Sequence, residues 1–175
     1  MKKRNARSIF QKTAIVLFTM LLGAFASCSS DDGGDAGNSG GEGKNVKLTI
    51  TINGVVPDDY LSFVAVGSAL SSPGESTIWK VNGTTHTNES AVSFGKNDFT
   101  GSTKTYVVES IAPLRLAQVG MQFLATGDRS YTFSYKAEIN GQVVKEENNV
   151  VVTATADYTH DYTCLLYTSP SPRDK

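Results

Sequence analysis

Side chains able to do chemistry are sparse in this 175-residue chain. There are two histidines, His86 in a Gly/Thr/Asn-rich stretch and His160 near the end, and two cysteines, Cys28 and Cys164. Their spacing matches no His/Cys metal site, and no nucleophile–base–acid arrangement can be assembled around either histidine from local motifs. Neither a Gly-x-Ser-x-Gly elbow nor a phosphate-binding glycine loop occurs. The chain therefore reads as a non-enzyme with no catalytic residue, no metal and no cofactor. Asp58, Asp59, Asp157 and Asp161 stand near the ends of strand-like runs, where carboxylates can bridge calcium between β-modules. Without EF-hand spacing they read instead as turn-forming acids on a solvated rim.

Two aromatic features are candidates for binding. Trp79, the only tryptophan, sits between Ile78 and Lys80. Turned inward it is a core residue whose N–H needs an acceptor; turned outward it is a platform on which a sugar ring or a partner stacks. Its neighbours leave both orientations open. Tyr158, His160 and Tyr162 fall on one side of an alternating run, which makes Tyr158 and Tyr162 a second candidate stacking pair or an aromatic ladder on an edge strand.

Strands must position all of these residues. Val46, Leu48, Ile50 and Ile52 alternate with Lys47, Thr49, Thr51 and Asn53, a period of two that puts one face inward and one toward water. Leu61, Phe63 and Ala65 alternate with Ser62, Val64 and Val66, apolar on both faces as in a central strand. Further strands are expected at Thr77–Val81, Ala91–Phe94 and Lys104–Val108. Leu114–Ala125 is ambiguous by period, but Gly120 and the lack of a cap favour an extended segment with a bulge. Tyr131, Phe133, Tyr135, Ala137 and Ile139 give the cleanest alternation, followed by Asn140-Gly141, a strong hairpin signal, and a return strand from Val143. Asn148-Asn149 reads as a turn or bulge before Val150–Ala154, and a last strand runs over Tyr158–Thr163. Seven to nine short strands with no convincing helix predict an all-β domain, a single immunoglobulin-like β-sandwich, with a small β-barrel as the alternative.

The N-terminus carries a different signal. Lys2, Lys3, Arg4, Arg7 and Lys12 precede thirteen almost wholly apolar residues, Ala14–Ala26. Spanning a bilayer takes about 20 apolar residues, whereas about 7–15 suit the core of a secretory signal. Small residues then lead into a cysteine, and Phe25-Ala26-Ser27-Cys28 resembles the lipobox of bacterial lipoproteins. The resemblance implies cleavage after Ser27 and a lipid on Cys28, making residues 1–27 a signal peptide. Several acyl chains, at about 0.8 kcal/mol per buried methylene, hold far more firmly than one. Ser29–Lys44 lacks any apolar residue larger than alanine, so residues 28–44 read as the lipidated cysteine and a flexible tether of roughly 20–24 Å reach. Asp31-Asp32 just after the cysteine is similar to the export signal of small surface-exposed lipoproteins of the Bacteroidota. That implies a lipid-anchored position on the outer face of the outer membrane.

Residues 45–163 are the candidate domain, expected to be truncated. From Cys164 the pattern breaks, and Pro170 and Pro172 interrupt it. Cys164–Asp174 resembles the translation of adapter DNA from transposase-based sequencing libraries, so 164–175 is expected to be a non-native scar. With Cys28 committed to lipid and Cys164 foreign, no disulfide is expected, although the compartment permits one. Without both end segments, seven of 16 basic and one of 17 acidic residues are gone, leaving a net charge of about −7 in place of −1. That balance argues against nucleic acid or an anionic membrane surface as partner. The expected function is a surface-anchored, non-catalytic binding or structural accessory, with the membrane as partner through Cys28 and a glycan or protein as the other. A fimbrial or adhesin subunit is the alternative, and a fragment of a larger secreted hydrolase the third reading.

Overall fold

A computed structural model describes residues 43–72 and 74–165. The signal segment, Cys28, most of the tether and residues 166–175 lie outside the described residues. Among the described residues there are ten strands: β1 Val46–Asn53, β2 Tyr60–Ala69, β3 Trp79–Val81, β4 Thr84–Thr85, β5 Ala91–Gly95, β6 Lys104–Ser110, β7 Leu114–Leu124, β8 Ser130–Ile139, β9 Gln142–Thr153 and β10 Tyr158–Leu165. They form two antiparallel sheets, β4-β3-β6-β1-β8-β9 and β10-β7-β2-β5, packed face to face as a β-sandwich and not closed into a barrel. Among the described residues no helix is long and apolar enough to cross a membrane.

The alternations read from the sequence become the two inner faces. Leu48, Ile50 and Ile52 of β1 meet Leu61, Phe63 and Ala65 of β2 across the core, all of them buried. Phe99, Phe123, Phe133 and Met121 fill the space between. Burying each such side chain contributes about 1.5–3 kcal/mol. Trp79 lies wholly within this core, so the outward stacking orientation has no exposed ring face to use. Its Nε1–H donates to Ser90 O at 3.0 Å, and the Gly67 N–H donates to the same carbonyl at 2.9 Å. Gly67 makes room for the indole: an ideal β-carbon there would stand 2.8 Å from Trp79 Cζ2 and 2.6 Å from Ile78 Cγ2.

Several local expectations change. Leu114–Leu124 is one strand, and pairing runs unbroken through Gly120, opposite Val64 on one side and Asp161 on the other. Its bulge is instead at Arg115, the residue skipped where Ser68/Leu116 is followed by Ala69/Leu114. A single helical turn, α1 Lys96–Phe99, escaped the sequence pattern because four residues carry no period; the Asp98 carboxylate accepts the Gly95 N–H at 2.8 Å and closes it. Asn140-Gly141 forms the expected tight hairpin, with φ of 50° and 80°, left-handed values that asparagine and glycine tolerate best. Asn148-Asn149 is a bulge within the continuous β9, and a second bulge falls at Val144. β10 runs on two residues past Thr163, because backbone pairing with β7 is indifferent to side-chain identity. Cys164, expected to be unpaired by a disulfide, is disulfide-bonded. β10 delivers it to the end of the sandwich where the chain enters, beside the bridge between Lys44 and Leu114.

Candidate functional site

The outer face of the four-stranded sheet carries the site. Strand register fixes which side chains stand together there. One row across the sheet reads Gly95, Ser62, Gln122, Thr159; the next Ser93, Val64, Gly120, Asp161; the next Ala91, Val66, Gln118, Thr163. Small residues dominate, and the middle row contains a position with no side chain at all. The result is an open trough of about 320 Å³ lined by Ser62, Val64, Val66, Gln118, Gln122 and Asp161 around Gly120.

Its polar side chains face solvent. The Asp161 carboxylate leans over Gly120, so that an ideal β-carbon on the glycine would stand 3.0 Å from Asp161 Oδ1. At one end Tyr60, half of it exposed, donates its hydroxyl to Gln122 Oε1 at 3.4 Å, which leaves the amide NH2 of Gln122 to donate outward. At the other margin Arg115 Nε donates to Ser68 Oγ at 2.9 Å. Val66 and Leu124 add exposed apolar surface. The trough holds hydrogen-bonding groups and aliphatic surface but no nucleophile beside a base.

The aromatic candidates lie on the other side of β10. Tyr158 stacks on Phe123, with ring centres 6.0 Å apart, and meets Phe133 edge-on at 4.5 Å. Tyr162 stacks on Tyr135 at 6.0 Å, and the hydroxyls of Tyr158 and Tyr162 are 3.0 Å apart. His160 stands between them, 4.4 Å from the Tyr158 ring and 5.8 Å from that of Tyr162. Lys145, 2.7 Å from Glu147, places its ammonium 5.8 Å from the Tyr162 ring centre. The Glu147 carboxylate holds that ammonium above its ordinary range. This cluster caps the open edge between the sheets, above an apolar crevice of about 30 Å³. Burial, followed by the hydroxyl of Tyr162, pushes the Tyr158 phenol well up and keeps it neutral.

The acidic candidates are dispersed. Asp59 is buried and ties two loops, accepting the Val56 N–H at 3.0 Å and the Thr126 N–H at 3.0 Å. Asp58 faces Arg129 at 3.6 Å on the surface, and Asp157 accepts from the Thr159 hydroxyl at 3.2 Å. Only Asp161 reaches the trough. Among the described residues no three of His, Cys, Asp and Glu converge on a point where a metal would sit. Gln118, Gln122 and Ser62 were missed from the sequence, although the outward positions of a strand with a central glycine were a signal for them.

No protein-family model matches the sequence, and no curated protein matches it. Solved structures are similar in fold. The calcium-bound form of a protein from Parabacteroides distasonis, determined by NMR, shares 16% identity over 74% of this chain and 99% of that one, with a TM-score of 0.50. A DUF4425 family protein from Bacteroides ovatus shares 10% identity over 69% of this chain and 94% of its own, with a TM-score of 0.49. A DUF4425 domain of unknown function from Bacteroides vulgatus shares 10% over 74% and 98%, with a TM-score of 0.47. The first of these supports the sandwich architecture.

Proposed function

We propose that the chain is an outer-membrane lipoprotein, anchored through lipid on Cys28 and exposed at the cell surface, whose β-sandwich is a non-catalytic binding module. The observation that carries the binding reading is the trough: a formed, solvent-open depression with exposed polar side chains and no catalytic pairing. The anchor rests on the Ser27-Cys28 junction and the acidic residues after it. The partner is a glycan or a protein, and the acidic balance of the folded part disfavours nucleic acid. Cys28 and Cys164 are the only cysteines of the chain, so the Cys28 sulfur carries either the thioether or a bond to Cys164 and never both; the proposal is the thioether form, and the mass of the mature protein tells the two apart.

Labelled palmitate supplied to cells expressing the full chain is expected to mark it, and protease added outside intact cells is expected to clip the domain. Equal labelling of a Cys28→Ala variant, or full protection on intact cells, overturns the anchor and its orientation. Release of new reducing ends from a glycan by the purified chain overturns the non-catalytic reading. An assembling subunit is the second reading, favoured by the unbulged edge of β10, whose side away from β7 carries no strand among the described residues. A strictly monomeric chain at high concentration removes it.

A further inference from the structure

Resting on the reading of the sandwich as a binding module, we propose that the trough receives an extended, uncharged polyhydroxylated chain, a segment of neutral polysaccharide. It lies across β7 and β2 along the row Ser93, Val64, Gly120 and Asp161, between Gln122 on one side and Gln118 on the other.

Gly120 is the first reason. Glycine weakens a strand interior and usually marks a bulge, a special backbone angle or a close approach. Here the pairing is regular on both sides, the backbone is outside the left-handed region, and the one group an added β-carbon would meet is the movable carboxylate of Asp161. The fold itself does not require a glycine at this point. What the missing side chain supplies is depth.

The chemistry of the rim is the second. A side-chain amide donates and accepts at once, and a carboxylate accepts from two donors, which suits neighbouring hydroxyls that each do both. Gln118 and Gln122 bracket the floor, Asp161 overhangs it, and Ser62 adds a hydroxyl. Val64 and Val66 offer aliphatic surface to the C–H faces of a sugar ring. No cationic side chain lines the trough itself, and Arg115 at its margin is bonded to Ser68, so an anionic polymer seated on the floor would meet the Asp161 charge directly. An extended peptide is a poor occupant, because β2 and β7 are both interior strands whose backbone donors and acceptors are engaged on either side.

The test uses the full chain, purified in detergent, in affinity electrophoresis through gels containing α-glucan, β-glucan, xylan, mannan or fructan, with polygalacturonate as the anionic contrast. At least one neutral polymer is expected to retard the wild type. Gln122→Ala and Gln118→Ala, exposed positions away from the core, are each expected to weaken retention about five- to tenfold. Gly120→Val, which fills the floor and displaces Asp161, is expected to abolish it. Lys136→Ala, on the other sheet, is expected to retain wild-type mobility, and near-UV circular dichroism checks that every variant is folded. Retention by no neutral polymer, preference for polygalacturonate, or retention unchanged in all three trough variants overturns the proposal. Because the assay contains no cells, these outcomes are independent of the labelling and protease results that decide the anchored reading.

Discussion

A single methyl group added at Gly67 is expected to destabilise the domain, while the same methyl at Gly120 is expected to leave it unchanged or strengthen it. Both glycines lie within interior strands of the same sheet, so the backbone contribution is alike. Replacing glycine by alanine in a strand gains about 0.5–1 kcal/mol from the less flexible unfolded chain. The surroundings differ. At Gly67 the new β-carbon meets Ile78 Cγ2 at 2.6 Å, Trp79 Cζ2 at 2.8 Å and Leu114 Cδ1 at 3.2 Å. Those three residues are almost wholly buried and have nowhere to retreat. Overpacking costs about 1–3 kcal/mol, and two contacts under 3.0 Å against buried groups put this one at about 2–3 kcal/mol, so the net loss is about 1–2.5 kcal/mol after the backbone gain. At Gly120 the contact is the tip of an exposed Asp161 side chain, which can swing away. At roughly 4 °C per kcal/mol for a domain of this size, Gly67→Ala is expected to lower Tm by roughly 4–10 °C and Gly120→Ala to shift it by 0 to about +4 °C. Thermal unfolding followed by Trp79 fluorescence reads both, since the indole is part of the perturbed contact. Equal losses in the two variants, or a neutral Gly67→Ala, would refute the assignment of one glycine to packing and the other to the trough.

Asp59→Ala leaves the half-buried N–H groups of Val56 and Thr126 without their acceptor and is expected to cost about 1–2 kcal/mol, seen as a lower urea midpoint with unchanged slope. Alkaline titration is expected to unfold the domain through Tyr131 and Tyr135. Burial first, with the charge of Asp59 for Tyr131 and the neighbouring Tyr162 for Tyr135, raises both phenols above their ordinary value near 10. Each therefore adds stability that is full below pH 10 and declines above it by about 1.4 kcal/mol per pH unit, and an alkaline unfolding midpoint unchanged in both Tyr131→Phe and Tyr135→Phe variants would contradict this coupling. Tyr158→Phe removes the hydroxyl pair with Tyr162 and is expected to cost about 0.5–1.5 kcal/mol by chemical denaturation, with retention on polysaccharide gels unaffected.

Most of the sandwich was legible because its strands bury one face each. Val46–Asn53 and Tyr131–Ile139 alternate without interruption, and both are central in the larger sheet, where neighbours on either side enforce the register. Period failed where tertiary contacts override it. Ile78 was read into a strand, yet its N–H goes to Glu89 O at 3.3 Å and its carbonyl to the Ile111 N–H, outside any ladder. The orientation of Trp79 depended on Gly67, twelve residues away, and no local pattern encodes that complementarity. The trough was the least legible feature. It is assembled from outward positions of three strands whose neighbours are set by register, and the one clue in the sequence, Gly120, was open to being read as a bulge. Tyr158 and Tyr162 were correctly placed on one side of their strand, but alternation alone does not tell a core-facing side from an exposed one at an edge.

Lys44 gives the N-terminal end of the domain an unusual mechanical position. Its N–H and carbonyl are bonded to Leu114 of β7, at 3.1 and 2.9 Å, and two residues later the chain enters β1 in the opposite sheet. A pull on the N-terminus is thus resisted first by this two-bond clasp, then by β1. That strand is gripped along its length by β6 and β8 and cannot peel from an edge. A load held at the outer face of the four-stranded sheet would have to cross the packed core to reach it. Tension between the two would act on the interface between the sheets before it tore a strand from either.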